Sequence, residues 1–126
     1  MKMRWLLTFA INISFMLITA CGNELCSNDI VEKIDSPDNS KSAVIFIRAC
    51  GATTSDSYHL SILEEDQNLS NEKGNIYISQ GKFEIDWSDD TNLHVSYYSS
   101  KIFKQETEFQ DVKIEYEYKK ILSDMI

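Results

Sequence analysis

Between Asp29 and Tyr118 apolar side chains recur, in run after run, at every second position, and that dominant period commits the chain to strands. Tyr58, Leu60 and Ile62 alternate with His59 and Ser61. Phe83, Ile85 and Trp87 alternate with Glu84 and Asp86, and Leu93, Val95 and Tyr97 with His94 and Ser96. Val112, Ile114, Tyr116 and Tyr118 alternate with Lys113, Glu115 and Glu117. Successive side chains of a strand point to opposite faces, so each run describes a strand with one buried face. Ala43 to Ile47 breaks the rule by being apolar at every position, which predicts a central strand covered on both sides. Asp29 to Ile34 reads as a first short strand, and Ile76 and Ile78 form another short run after Gly74-Asn75.

Turn chemistry separates these runs. Ser36-Pro37-Asp38-Asn39 has proline where its fixed φ suits a turn, Ser79-Gln80-Gly81-Lys82 reads as a hairpin, and Asp89-Asp90-Thr91-Asn92 turns the chain again. The expectation is an all-β chain of about seven strands in a single small antiparallel meander or sandwich-like domain, following an N-terminal signal segment. Its core should contain Val44, Phe46, Leu60, Ile62, Ile85, Trp87, Leu93, Val95 and Ile114.

The first twenty residues follow another pattern. Lys2 and Arg4 precede an uncharged apolar run from Trp5 to Ile18, and Thr19-Ala20 leads directly to Cys21. A basic start, a short apolar middle and small residues at the end define an export signal. A spanning helix needs about 20 apolar residues, more than this run supplies. Leu17-Ile18-Thr19-Ala20-Cys21 resembles the bacterial lipobox, and the resemblance implies that Cys21 is lipidated and becomes the first residue of the mature chain. Two or more lipid chains anchor stably where one does not. Gly22 follows where inner-membrane lipoproteins commonly carry Asp, so in a Gram-negative source the outer membrane, facing the periplasm, is the expected address. The division expected is a signal at 1–20, a lipidated tether at 21–29 and a β-domain at 30–126.

Loss of Lys2 and Arg4 with the signal leaves ten basic against twenty acidic side chains, a net charge of −10. That acidity argues against nucleic acid, whose binding requires phosphate neutralisation by Lys and Arg, and against anionic lipid head groups. With Cys21 lipidated, Cys26 and Cys50 remain, and an even count in a small exported domain reads as one disulfide. Closing such a loop contributes about 3 kcal/mol on the chain-entropy view.

Ser36-Pro37-Asp38-Asn39, the strand after it and the complete run Cys50-Gly51-Ala52-Thr53-Thr54 together resemble an uncharacterised family of small exported bacterial proteins. The tryptophan strand from Phe83 to Trp87 and Leu93-His94-Val95 follow in similar order, so the resemblance covers most of residues 26–118. It implies a fold and no activity. Read from its residues, the loop at Gly51, Ala52, Thr53 and Thr54 is either a structural turn, with glycine at positive φ and hydroxyls bonding nearby backbone, or a ligand-contacting loop.

Other polar residues fall short of a motif. His59 and His94 sit on strands with no spaced partner for zinc, and are expected at the surface or rim. Glu64-Glu65-Asp66 and Asp86, Asp89 and Asp90 lack the spacing of a calcium loop. Tyr97, Tyr98, Tyr116 and Tyr118 offer either an aromatic binding face or ordinary strand packing. No phosphate loop, nucleophile elbow or paired-carboxylate motif is present, so neither a catalytic residue, a metal nor a cofactor is expected. The partners expected are the membrane, through the N-terminal lipid, and an envelope protein. Two readings follow: a non-catalytic envelope binding module, or an inhibitor or immunity protein whose acidity meets a basic enzyme or toxin. Cys21→Ser should release the protein from membranes or leave the precursor uncleaved, and an unmodified Cys21 in the intact mass of membrane-held protein would refute lipidation.

Overall fold

A computed structural model describes residues 25–51, 55–99 and 101–120; the signal, Cys21, the residues Ala52, Thr53 and Thr54, and the tail 121–126 lie outside them. The described residues form nine strands and no helix: β1 (Ser27–Asp35), β2 (Lys41–Ala49), β3 (Ser57–Glu64), β4 (Tyr77–Ser79), β5 (Phe83–Asp89), β6 (Asn92–Tyr97), β7 (Ile102–Gln105), β8 (Glu108–Phe109) and β9 (Val112–Tyr118). Sheet A has the order β1-β2-β3-β4-β7, and sheet B the order β5-β6-β9-β8. The all-β single domain expected from the alternation is what the chain forms.

Three details differ. β1 begins at Ser27, inside the stretch expected as tether. Ser79-Gln80-Gly81-Lys82 does not close a hairpin, because β4 belongs to sheet A and β5 to sheet B. The turn carries the chain between layers, held by the Gln80 N–H on the Lys101 carbonyl. β6 and β9 pair in parallel, so sheet B is mixed rather than a pure antiparallel meander. The short β7 and β8 lack enough residues to show a period in sequence.

All nine side chains expected in the core are buried. They do not form one core, however. Ala43, Ile45, Leu60, Ile62 and Tyr77 of sheet A meet Phe83, Ile85, Trp87, Leu93, Val95, Val112 and Ile114 of sheet B. Val44 and Phe46 face the opposite side of sheet A, where they join Leu63 and Leu69 in a second, smaller cluster. Strand β2 is thus apolar on both faces for two different reasons.

Trp87 joins the layers: its indole N–H donates to the Ile34 carbonyl at 3.0 Å. Lys41, with its side chain 11% exposed, reaches Asp111 at 2.9 Å, and the Asp38 N–H donates to Asp90 at 2.9 Å. The Asp111 carboxylate raises the Lys41 pKa, and Lys41 lowers that of Asp111. The proline turn closes as expected, with the Asn39 N–H on the Ser36 carbonyl and Asn39 at φ 60°. Cys26 and Cys50, next to the paired Ser27 and Ala49, are joined in the expected disulfide. Truncating the buried indole in Trp87→Ala should destabilise the domain by about 3–5 kcal/mol in urea unfolding. A loss below about 1 kcal/mol would show that the sandwich does not depend on it.

Candidate functional site

The outer face of sheet A is where the chain concentrates its polar chemistry. Directly paired residues of neighbouring strands share a face. The register therefore places Phe46, His59, Ile78 and Lys104 in one row across four strands, with Arg48 and Ser57 in the adjoining row. Segment 65–76, between β3 and β4, crosses this face as a strap, its Leu69 seated on Val44, Phe46 and Leu63.

Side chains fasten the strap by substituting for a missing strand. Asn75 accepts the Ile62 N–H at 2.9 Å and donates to the Ile62 carbonyl at 3.1 Å. Asn28 donates to the carbonyls of Ser70 and Glu72, and Asn71 to that of Cys26. Gly74 makes the closest approach: a Cβ there would lie 2.8 Å from the Leu60 oxygen and 3.0 Å from the His59 Cβ. Only glycine lets the backbone come this near.

His59 is not the rim histidine that alternation suggested; it is 3% exposed, because the strap covers its side of the sheet. Its ring stacks on Phe46 with centroids 5.2 Å apart. Its Nδ1 accepts the Gly74 N–H at 2.9 Å, and its Nε2 lies 2.7 Å from the Ser57 Oγ. A neutral imidazole has one N–H, and the bond from Gly74 requires Nδ1 to be bare, so Nε2 carries the hydrogen and donates it to Ser57. A nucleophilic serine needs the reverse, a bare ring nitrogen to receive its proton. This Ser–His pair is wired against that chemistry. Burial lowers the His59 pKa to about 4, with further lowering from Arg48, Lys73 and Lys104.

Those three cations belong to a cleft of about 490 Å³ beside the disulfide, lined also by Cys50, Ser55, Ser57, His59, Ile78 and Phe103. The Arg48 Nη1 donates to the amide oxygens of Asn28 at 2.8 Å and Asn71 at 3.1 Å, and its Nε is buried without a partner. The ion pairs among the described residues, Lys41–Asp111 and His94–Glu117, lie elsewhere. None of the three cations therefore has a carboxylate partner there. Phe103, 65% exposed, occupies a bulge of β7, between Ile102 paired to Ser79 and Lys104 paired to Ile78. Across the strap lies a second cleft, of about 460 Å³, with Asp35, Glu64, Glu65 and Asp66 in its wall.

The sequence candidates distribute unevenly around this geometry. Cys50 and Ser55, which border the Gly51–Thr54 loop, line the cationic cleft, and Gly51 takes the positive φ expected of it, 105°. His94 is at the rim, 3.0 Å from Glu117. Asp89 spends its carboxylate on the Thr91 N–H and the Asn92 amide, and Asp90 on the Asp38 N–H, so both serve turns. Among the described residues no three His, Cys, Asp or Glu side chains converge as metal ligands. Tyr97 and Tyr116 pack around buried Tyr77, with ring centroids 6.2 and 5.5 Å from it, while Tyr118 remains exposed. Sequence reasoning missed Arg48, Lys73, Phe103 and Lys104, which only the sheet register, the β7 bulge and the course of the strap bring together. Comparison with protein-family models, curated proteins and solved structures finds no match.

The buried ring makes a pH prediction. As pH falls below about 6.5 the unfolded chain protonates His59 while the folded chain does not, so stability from this group is complete above that pH and declines toward pH 4. Urea unfolding between about pH 7 and pH 4 should show this decline, and His59→Gln should flatten it. Nitrogen NMR of the wild type should find Nε2 protonated and Nδ1 bare at neutral pH; the opposite tautomer would overturn the wiring described.

Proposed function

We propose that this chain is a non-catalytic binding module of the bacterial cell envelope, lipid-anchored through Cys21, and that the outer face of sheet A is its working surface. The observation that carries the reading is charge held in reserve: Arg48, Lys73 and Lys104 ring one cleft without a carboxylate partner among the described residues, in a chain of formal charge −8. Folding alone gives little reason to gather like charges around a buried ring, since each opposes the others. The wiring of Ser57 and His59 fits the same reading, because it positions a hydrogen-bonding surface rather than a nucleophile. A rigid sandwich beneath the cleft keeps these groups in place for a partner that arrives later.

The acidic cleft favours a second reading, an inhibitor or immunity protein acting on a basic enzyme or toxin. Asp35, Glu64, Glu65 and Asp66 stand close together there, with Lys33 the one cation in the wall. Opposite charge on an approaching protein would raise its association rate.

Photo-crosslinkers placed singly at the exposed Ser55 and Asn68, which line the two clefts, should capture an envelope component in membranes of the native host. One at Glu84, exposed on sheet B, should not. Reversing Glu64, Glu65 and Asp66 to lysine should slow association with a basic protein partner, and the effect should fade as salt shortens the screening length below about 10 Å. Capture at Glu84 alone, or a hydrolytic activity lost in a folded His59→Gln protein, would overturn the binding reading.

A further inference from the structure

We propose that the cleft beside the disulfide binds a small organic anion, with its charged head among Arg48, Lys73 and Lys104 and its apolar body against Phe103 and Ile78. The inference rests on the reading of the outer face as the working surface, and adds the chemistry of what it receives.

Three features specify the head group. Arg48 comes from β2, Lys73 from the strap and Lys104 from β7, so the cations approach from three sides rather than along one strand. Two neutral amides hold the Arg48 guanidinium through Nη1, fixing its orientation without neutralising its charge. A positioned, unneutralised guanidinium loses less freedom on binding a carboxylate or phosphate than a loose one. Ser57 adds a directed donor. Its oxygen accepts from His59 Nε2, and its own hydrogen is then available to an acceptor in the cleft.

The apolar lining specifies the body. Phe103 is extruded by the β7 bulge and left 65% exposed, next to a cluster of charges. Bulges re-aim side chains at functional rims, and an aromatic ring beside cations is a surface for the apolar part of an amphipathic ligand. A volume of about 490 Å³ falls in the range of small-molecule sites. Total charge excludes larger anions. A polyanion or an anionic bilayer would meet a protein of charge −8 with only this patch in its favour, whereas a small anion samples the patch alone.

The test uses the full chain in neutral detergent, titrated with phenyl phosphate, inorganic phosphate and benzyl alcohol, and followed by amide NMR. Phenyl phosphate should bind saturably and shift the amides of Ser57, His59, Gly74 and Lys104. Inorganic phosphate should bind about tenfold more weakly or less, and benzyl alcohol should not saturate. The double variant Lys73→Glu, Lys104→Glu removes two cations that form no ion pair among the described residues, so it should keep its unfolding midpoint and lose at least about tenfold in phenyl phosphate affinity. Phe103→Ala should weaken phenyl phosphate and leave inorganic phosphate unchanged. Unchanged affinity in the double variant, equal binding of benzyl alcohol, failure of both anions to saturate, or binding only to vesicles of phosphatidylglycerol would each overturn the proposal. Failure of both anions with crosslinking at Ser55 intact removes this ligand and keeps the working surface; saturation by phenyl phosphate with crosslinking at Glu84 alone does the reverse.

Discussion

Double burial of strand β2 is the constraint from which the rest of sheet A follows. Ala43 and Ile45 turn toward sheet B, while Val44 and Phe46 turn the other way and would face water in a bare two-layer sandwich. Fully burying such side chains contributes about 1.5–3 kcal/mol each. Ordering a connecting segment costs about 1–2 kcal/mol per residue in backbone freedom. Val44, Phe46, Leu63 and Leu69 thus cannot hold the strap by themselves; Ile76 at its end enters the main core, and Asn28, Asn71, Asn75 and the His59 ring serve as polar anchors. The strap exists because β2 is greasy on both sides. The clefts exist because the strap covers only the middle of the face.

This also explains what the sequence could disclose. Alternation is a property of single strands, so Phe83, Ile85 and Trp87 announced their buried face without help from the fold. The run Ala43 to Ile47 announced a strand covered twice, though not that its second cover would be a polar connection. His59 was misleading for the same reason. Its neighbours Tyr58 and Leu60 made it look outward, and outward it points, into a space that a segment fifteen positions away fills. Tyr77 falls between Ile76 and Ile78, so its place at the centre of the aromatic cluster depends on pairing with Leu60. Pairings between strands leave no local trace, and the grouping of Arg48 with Lys104 depends on three of them in succession, β2 with β3, β3 with β4 and β4 with β7.

Charge is arranged on a finer scale than the net value conveys. The strap separates a cleft with four carboxylates from one with three cations, and it contributes Glu65 and Asp66 to the first and Lys73 to the second. Within a Debye length of about 10 Å such patches act as individuals, and beyond it the acidic average governs. A visitor therefore meets repulsion or attraction according to its size, before any shape is tested.

The parallel pairing of β6 with β9 has a consequence for how the molecule must assemble. After β6 the chain leaves sheet B, adds β7 to the far edge of sheet A, and returns to complete sheet B with β8 and β9. The layers are interleaved along the chain, so neither can be finished while the other waits. Until β9 arrives, β6 has β5 on one side and an open row of amides on the other. Contacts of such separation are slow to form because their loop entropy is lost before they are rewarded. The domain is thus built to acquire its structure late and all at once, only after nearly every residue from Ser27 to Tyr118 has been released into the same compartment.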